Sequence, residues 1–328
     1  MRQLFPDVDW HPVIKAIDHA GSIVLITHCN PDGDGIGSEL ALYEALMSRG
    51  KQVSIRNRDG IPRIFNFLTH AEQVEKSDCS TCQDSPDLII SLDCGSYKRL
   101  GLSQAIPKET TLINIDHHVS NAKFGDINIV DARYCATGAM VSDLLASMQV
   151  IFSADIATAI YVALLTDTAS FRHSNTSANV YRLAADLIDA GAQPWPISVA
   201  VYESRSLAGI KILMACLETL EIRDGGRSAW IYVNAEMYEK TGANVEDTEG
   251  LIDYARSIGG VEVAVLIRHH ELEDKWKVNF RAKTTADVGA LANSLGGGGH
   301  KHAAGCVISG SFDETRAIIR QEVSQILG

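Results

Sequence analysis

Two clusters of histidine and aspartate residues have the types and the spacing of metal ligands. They are His28, Asp32 and Asp34 near the start of the chain, and Asp116, His117 and His118 further along. Carboxylate oxygens and imidazole nitrogens together suit divalent cations such as Mn²⁺, Mg²⁺, Fe²⁺ or Zn²⁺. Acidic groups gathered in one place repel one another unless cations neutralise them. The residue types therefore indicate a site for divalent metal ions.

Each cluster follows a short apolar run of the kind that forms a buried strand. Residues 23–26 precede the first cluster, residues 112–115 precede the second, and a third run at 88–92 ends just before Asp93. Runs of this length, rich in β-branched residues, are typical of parallel strands buried on both faces. Open α/β sheets bind ligands at the carboxyl ends of their strands. We therefore expect Asp93 to join the two clusters at one edge of a sheet.

A fourth segment adds another carboxylate. Asp167 ends a largely apolar helical stretch, where the helix dipole disfavours negative charge and a cation would relieve the conflict. Two metal ions about 3.5–4 Å apart activate a water and stabilise in-line displacement at phosphorus. Six side chains can hold such a pair if one carboxylate bridges, and His118 would remain to contact the substrate. The six are His28, Asp32, Asp34, Asp93, His117 and Asp167.

Simpler interpretations compete for the same residues. An EF-hand-like calcium loop is excluded because Ile36 would occupy its third ligand position and Tyr43 its twelfth position. A dinucleotide-binding fingerprint is excluded because Asp34 would repel a phosphate unless a metal intervened. A plain helix-capping turn stays open for this loop, as does a capping role for Asp93. The adjacent histidines at 117–118 are also compatible with one core and one surface side chain.

Composition limits the class of protein and of ligand. The 328 residues suit two domains, and 46% hydrophobic with 21% charged residues is ordinary for a globular protein. The net charge of −12, without a basic stripe, argues against binding long DNA or RNA. No apolar run reaches the roughly 20 residues that span a bilayer, and no secretion signal is evident. The sequence therefore predicts a cytoplasmic protein with no membrane partner and a small anionic ligand.

The order of elements predicts the fold class. Strand-like and helix-like segments alternate in the first half, which predicts an α/β fold with a mostly parallel sheet flanked by helices. Gly191–Pro196 is the strongest interior break. We predict a catalytic metal-binding domain at 1–190, a linker and bridging helix at 191–220, and a smaller α/β domain at 221–328. A polar turn is expected around 269–274, and the lone pair Cys79-x2-Cys82 is disfavoured as a zinc site.

Five motifs in this order resemble the DHH phosphoesterase superfamily over nearly the whole chain. They are THCNPDGDGIGS (27–38), SLDCGS (91–96), NIDHHVSN (114–121), LLTDTASFRHSNT (164–176) and GGGGHKHAAG (296–305). The last motif is similar to that of the subgroup with a DHH-associated C-terminal domain. A compact chain of this size most resembles the NrnA-type nanoRNases with pAp phosphatase activity. The resemblance implies an active site in a cleft between the two domains.

The resemblance also implies roles for the candidate ligands. One metal would lie on His28, Asp32 and Asp93, and the second on Asp34, Asp93, His117 and Asp167. Asp93 would bridge the two ions, and it would act with Asp116 and His118 as the catalytic set. His118 would contact the scissile phosphate and help to protonate the leaving oxygen. Family members usually prefer Mn²⁺, although oxygen and imidazole ligands admit Mg²⁺ as well.

Substrate contacts are implied mainly for the second domain. Gly297, Gly298 and His300 would bind a phosphate or sugar, since unhindered backbone N–H groups can form an anion nest. Arg281 and Lys283 match a family segment that contacts the substrate's terminal phosphate, with Ala282 in place of the family's Ser. Arg172 would approach from the first domain. A flexible glycine loop at 296–299 and a solvated helix end at Arg172 are the simpler alternatives.

The expected function is a two-metal phosphodiesterase. It would cleave short oligoribonucleotides or linear dinucleotides such as pApA to mononucleotides, and would also remove the 3′-phosphate of pAp. A cyclic-dinucleotide phosphodiesterase, acting on molecules such as c-di-AMP, is the alternative enzyme. A non-catalytic nucleotide sensor is the alternative from another class, and lost ligands would mark it. Expected partners are thus short RNA and small nucleotides, and a homodimer stays open.

Overall fold

The protein is described here by a computed structural model that covers residues 3–78, 85–270 and 275–328. The chain divides into two compact units, Met1–Ser204 and Arg205–Gly328. Cys79, Cys82 and the turn residues 271–274 lie outside the described residues. The predicted cleft between the two units stays a prediction.

The first unit is a parallel sheet with helices. Its strands are β1 (Ser22–Ile26), β2 (Gln52–Asn57), β3 (Val74–Lys76), β4 (Leu88–Leu92), β5 (Thr111–Asp116) and β6 (Ile127–Val130). Its helices are α1 (His11–His19), α2 (Gly33–Ser48), α3 (Thr137–Ser147), α4 (Ala154–Asp167), α5 (Ala178–Asp189) and α6 (Pro194–Tyr202). The strand order is β3-β2-β1-β4-β5-β6, and every neighbouring pair is parallel. The predicted α/β class is confirmed.

The strand order explains where a ligand can bind in this unit. The chain runs outward from β1 to β3 and then returns to β4 on the other side of β1. Loops after β1 and β4 therefore leave the sheet in opposite directions and open a crevice at the carboxyl ends of these strands. All five residues of β4 are buried, as expected for a strand covered on both faces.

The predicted linker at 191–220 is divided between the two units. Pro194 occupies the first turn of α6, where a missing N–H costs nothing, so the predicted break is a helix start. Ile197 of α6 packs in the core of the first unit. The bridging helix α7 (Leu207–Glu218) instead packs Ile212 and Cys216 into a core of the second unit.

The second unit is a mostly antiparallel sheet. Its strands are β7 (Glu221–Arg223), β8 (Ser228–Val233), β9 (Val263–His269), β10 (Lys275–Ala282), β11 (Gly298–His300) and β12 (Ala303–Ser309). Besides α7, its helices are α8 (Ala235–Thr241), α9 (Leu251–Ser257), α10 (Val288–Ser294) and α11 (Phe312–Leu327). The order is β11-β12-β10-β9-β8-β7, with only β8 and β9 parallel among these pairs. Apolar cores cover both faces of the sheet.

Among the residues described, no helix combines the length and the apolar character that crossing a membrane requires. The predicted cytoplasmic location stays a prediction.

Candidate metal centre

Three neighbouring strands deliver the candidate ligands to one edge of the first sheet. His28 lies two residues beyond β1, Asp93 directly follows β4, and Asp116 is the last residue of β5. Because β1, β4 and β5 are adjacent and parallel, their carboxyl ends meet. The clusters that the sequence separates by more than sixty residues therefore lie together, as expected.

The first group of ligand atoms comes from His28, Asp32 and Asp93. His28 Nε2 lies 3.5 Å from Asp93 Oδ2 and 3.9 Å from Asp32 Oδ2. His28 Nδ1 donates to the Cys29 carbonyl at 2.8 Å, which leaves the lone pair on Nε2. Burial lowers the pKa of His28 and so favours the neutral imidazole that a metal requires.

Asp32 both caps a helix and faces the histidine. Its Oδ1 accepts from the backbone N–H groups of Asp34 and Gly35, at 3.0 and 3.2 Å, at the start of α2. The capping alternative for this loop is therefore correct. It does not exclude a metal, because Oδ2 remains directed toward His28.

The second group comes from Asp34, His117 and Asp167. His117 Nε2 lies 3.6 Å from Asp34 Oδ2 and 3.7 Å from Asp167 Oδ2. Asp167 reaches this point from the last position of α4, as the sequence predicts. Both His117 and His118 are buried, so the alternative of one core and one surface histidine is wrong.

Asp93 lies between the two groups. Its Oδ2 faces His28 Nε2 at 3.5 Å, and its Oδ1 faces His117 Nε2 at 3.6 Å. Two oxygens of one carboxylate directed at two imidazoles are the arrangement that a bridging ligand needs. The backbone of Asp93 is left-handed, with φ of 56°. Such strain in a non-glycine residue costs on the order of 1–3 kcal/mol and is concentrated at functional sites.

The carboxylates of the centre repel one another strongly. Burial, followed by the charges of Asp34 and Asp32, raises the pKa of Asp93 well above its usual range. Burial likewise raises the pKa of Asp34 to about 6 and that of Asp167 to about 7. Burial opposes a charged His117, yet Asp167 and Asp34 outweigh it and raise the pKa of this imidazole. A buried set of carboxylates and imidazoles with surplus negative charge fits divalent cations.

Asp116 orients His118. Asp116 Oδ1 lies 2.6 Å from His118 Nδ1, and Asp116 also accepts from Asn121 Nδ2. Burial would raise the pKa of Asp116, but the hydrogen bonds from His118 and Asn121 outweigh it and lower the pKa. The carboxylate therefore stays ionised. This geometry gives Asp116, predicted as a member of the catalytic set, the role of holding the imidazole. His118 Nδ1 also lies 3.6 Å from Asp93 Oδ1.

Two residues of the centre were missed by the sequence analysis. The backbone N–H groups of Thr137 and Gly138, at the start of α3, donate to the two oxygens of Asp34 at 2.7 and 2.8 Å. Thr137 Oγ1 also donates to Asp93 Oδ1 at 3.2 Å. A Cβ at Gly138 would collide with Ala163, so this approach requires glycine. Thr137 and Gly138 are the first two residues of α3, where backbone N–H groups lack partners within the helix and bind an anionic group readily.

In the second unit, strand register places two of the predicted substrate residues, Arg281 and Gly298, on one face of the sheet. Arg281 pairs with Ala303, which also pairs with His300, while Gly298 pairs with Gly305. Side chains two residues apart on a strand share a face, so Arg281 shares its face with Gly298. The half-buried Arg281 guanidinium donates to the Phe280 carbonyl and has no ion pair within the described ranges. Burial lowers its pKa, and an anion would compensate for that burial.

The glycine motif is partly structural. Gly296 has φ of 76° and donates to Asn293 O, while Gly297 donates to Ala292 O at 2.8 Å. These two bonds are the pattern that closes a helix end, here α10. The N–H groups of Gly296 and Gly297 are therefore occupied by the helix, and the expected anion nest would fall on Gly298 and later residues. The backbone from Gly298 to His300 forms β11, so the alternative of a flexible loop at 296–299 does not hold for Gly298 and Gly299.

Two further predicted contact residues, Lys283 and Arg172, form hydrogen bonds within their own units. Lys283 is exposed and donates to the Ile258 carbonyl at 2.7 Å. Arg172 is exposed and donates through Nε to the Ala169 carbonyl at 2.7 Å, which matches the simpler alternative of a solvated helix end. Ala282 is buried in the apolar core on the opposite face from Arg281, where a methyl group suits its surroundings.

Family models match both units. A model described as the DHH family, N-terminal domain, matches residues 22–164, and a model described as the DHHA1 domain matches residues 229–326. A Thermus thermophilus protein named bifunctional oligoribonuclease and PAP phosphatase NrnA is 33% identical over 95% of this chain and 93% of its own length. A Bacillus subtilis protein of the same name is 26% identical over 94% of this chain and 95% of its own length.

Solved structures share the fold. An exopolyphosphatase-related protein from Bacteroides fragilis superposes with a TM-score of 0.88 at 25% identity, covering 98% of each chain. The exonuclease RecJ bound to manganese superposes with a TM-score of 0.53 at 13% identity, covering 100% of this chain and 96% of its own. At that identity the RecJ similarity shows the fold alone.

Proposed function

This chain belongs to the DHH family, and from that membership we propose that it is a two-metal phosphodiesterase that cleaves short oligoribonucleotides and linear dinucleotides to mononucleotides. The chain is a metal-dependent hydrolase. The named activities of its Thermus thermophilus relative support extending the proposal to removal of the 3′-phosphate of pAp. The similarity to this relative extends over 93% of its length.

The observation that carries the proposal is the position of Asp93. Its two carboxylate oxygens face His28 and His117 at 3.5 and 3.6 Å, at the edge where three parallel strands end. A sensor that had lost catalysis would be expected to have lost members of such a set. Every predicted ligand is present and lies in one of the two groups.

The residues that would hold the metals follow from these groups. His28, Asp32 and Asp93 would hold one ion, and Asp34, Asp93, His117 and Asp167 would hold the other. A bound pair of divalent ions supplies a nucleophilic water and neutralises charge on the transferring phosphoryl group. Mn²⁺ is the proposed ion, with Mg²⁺ compatible with the same donors.

The chain's own side chains would position the substrate and a proton. Asp116 engages His118 Nδ1 at 2.6 Å, so Nε2 is the nitrogen that would contact the scissile phosphate and transfer a proton to the leaving oxygen. The ionised Asp116 stabilises the imidazolium that carries this proton. Arg281 would take the terminal phosphate of the substrate, because its planar fork matches two phosphate oxygens.

The overall charge supports a small substrate. The net charge of −12 opposes the many phosphates of a long strand, whereas two metal ions reverse the sign of the field at the site itself. A dinucleotide carries few phosphates, so a small number of cationic groups is enough to contact it. Short RNA and pAp are therefore the proposed ligands.

A substrate panel tests the proposal. Purified protein loaded with Mn²⁺ is incubated with pApA, pAp, c-di-AMP and a long single-stranded RNA, each with and without EDTA. We expect AMP from pApA and from pAp, loss of both activities with EDTA, and an uncut long RNA. Inactivity toward pApA, pAp and c-di-AMP alike would remove the proposal. Faster cleavage of c-di-AMP than of pApA would favour the cyclic-dinucleotide alternative.

Two aspartates at opposite ends of β4 provide a matched pair of variants. Asp93 follows the strand at the metal edge, whereas Asp87 precedes it and accepts from the N–H groups of Gly21 and Ser22 at the other edge. We expect Asp93→Asn to abolish cleavage and Asp87→Asn to retain it. Equal activity of both variants would contradict the assigned position of the reaction.

A further inference from the structure

A buried acid in the first unit has no part in the metal centre described above. Glu39 lies on α2, five residues after Asp34, and is fully buried. Burial raises its pKa to about 8, so the group is mostly uncharged at neutral pH. Asn57, the last residue of β2, is also fully buried and lies beside it.

Hydrogen bonds connect these two residues to the strand end that carries His28. Asn57 Nδ2 donates to Glu39 Oε2 at 2.8 Å, and the backbone N–H of Thr27 donates to Asn57 Oδ1 at 3.1 Å. Thr27 is the residue directly before His28. The chain of bonds therefore runs from the helix that bears Asp34 to the backbone that bears the first histidine.

Close packing reinforces the same link. Gly35, in the first turn of α2, approaches Thr27 so closely that a Cβ there would lie 2.5 Å from Thr27 Oγ1. The start of α2 is thus in direct contact with the residue that follows β1, and α2 is also joined to that residue through Glu39 and Asn57. Two separate constraints fix the spacing of the segments that carry His28 and Asp34.

We propose that Glu39 and Asn57 are positioning residues for the metal centre, because they fix the Thr27 backbone and so hold His28 Nε2 opposite Asp32 and Asp93. This inference rests on the proposed two-metal function. The hydrogen bonds of Glu39 and Asn57 described above reach the Thr27 backbone and not a metal ligand side chain, so the effect acts through the backbone. Partners of this kind, which orient a ligand, typically contribute 10- to 100-fold to metal affinity.

The hydrogen bonds that connect Glu39 through Asn57 to Thr27 need an acceptor at position 39, and a negative charge there is not required. A buried amide N–H without an acceptor destabilises the folded state, so Asn57 Nδ2 requires an oxygen within hydrogen-bond distance. Glutamine offers a carbonyl oxygen on a side chain of the same length. Leucine offers none, and would release Asn57 from its orientation toward Thr27.

Mn²⁺ titration of the metal-free protein, followed by electron paramagnetic resonance, tests the inference. We expect Glu39→Gln to bind Mn²⁺ as the wild type does, and Glu39→Leu to bind it 10- to 100-fold more weakly. Glu44→Leu is the matched control, because Glu44 lies on the same helix but accepts from Ser153 of α4's N-cap, away from His28. We expect this control to keep wild-type affinity.

A double variant covers the case in which Glu39→Leu does not fold. In Glu39→Leu/Asn57→Leu both members of the side-chain pair become apolar, so neither new side chain leaves a buried polar group, and only the Thr27 N–H loses its acceptor. We expect this protein to fold, by circular dichroism, and still to bind Mn²⁺ at least 10-fold more weakly. Wild-type affinity in a folded Leu variant would overturn the positioning role, as would equal damage from Glu39→Gln. A wild type that binds no Mn²⁺ would instead overturn the proposed function and this inference with it.

Discussion

Replacing Thr137 by valine removes one hydrogen bond from the centre and little else. The two side chains have nearly the same shape, and the backbone N–H of residue 137 still donates to Asp34. Only the bond from Thr137 Oγ1 to Asp93 Oδ1, at 3.2 Å, is lost. That bond orients the carboxylate that faces both imidazoles, so we expect both metal ions to bind more weakly.

The size of the effect follows from the charge of the acceptor. A hydrogen bond to a charged group contributes about 1.5–3 kcal/mol, and every 1.4 kcal/mol corresponds to about a tenfold change in affinity. We therefore expect Thr137→Val to weaken Mn²⁺ binding roughly 10- to 100-fold. Thr137→Ser keeps the hydroxyl and is expected to stay close to the wild type.

Calorimetric titration of the metal-free proteins with Mn²⁺ measures this difference. The Mn²⁺ concentration that gives half-maximal cleavage of pApA should shift by the same factor, while the maximal rate at saturating Mn²⁺ changes less. The reasoning would be refuted if valine and serine at position 137 gave the same affinity as threonine. It would also be refuted if both lost affinity equally, since serine retains the donor.

Three other perturbations test separate parts of the account. Asp116→Asn should lower kcat for pApA about 100-fold or more while Mn²⁺ affinity is kept, because an amide no longer fixes the protonated His118; an unchanged kcat would contradict this. Arg281→Lys keeps the charge but loses the planar fork of guanidinium donors, so KM for pApA should rise about tenfold and KM for unphosphorylated ApA should rise less. Equal changes in the two KM values would show that Arg281 does not contact the terminal phosphate. Because the folded state favours the neutral form of Glu39, its stabilising contribution is present below pH 4.5 and is lost as the pH rises through about 8. In urea unfolding of metal-free protein, wild type should therefore lose about 1.4 kcal/mol per pH unit relative to Glu39→Gln over this interval, up to about 5 kcal/mol; parallel pH curves would contradict the neutral acid.

The sequence predicted the structure best for elements whose residues are all buried. The run 88–92 coincides with β4 because every position of that strand is buried and therefore apolar or small. The placement of Asp93 and Asp116 after such runs predicted their meeting, because parallel strands align their carboxyl ends. The apolar helical stretch that was expected to end at Asp167 likewise coincides with α4.

Interactions between distant segments were beyond the sequence. The contacts of Thr137 with Asp34 and Asp93 depend on the strand order, which no local pattern encodes. The Glu39–Asn57 pair joins a helix to a strand 18 residues away, and an isolated acid in a helical pattern looks like a surface residue. Short elements such as β3 and β11 were missed because three residues carry too little periodicity. The proline-rich start of α6 was interpreted as a break because Pro is also a common turn residue.

A crystal of the protein grown with Mn²⁺, with anomalous scattering recorded at the manganese edge, tests the central claim most directly. The account predicts two manganese peaks within about 4 Å of each other. One should be bound by His28, Asp32 and Asp93, the other by Asp34, His117 and Asp167, and one oxygen or both oxygens of Asp93 should contact both ions. A single peak, no peak among these side chains, or an Asp93 that touches only one ion would contradict it.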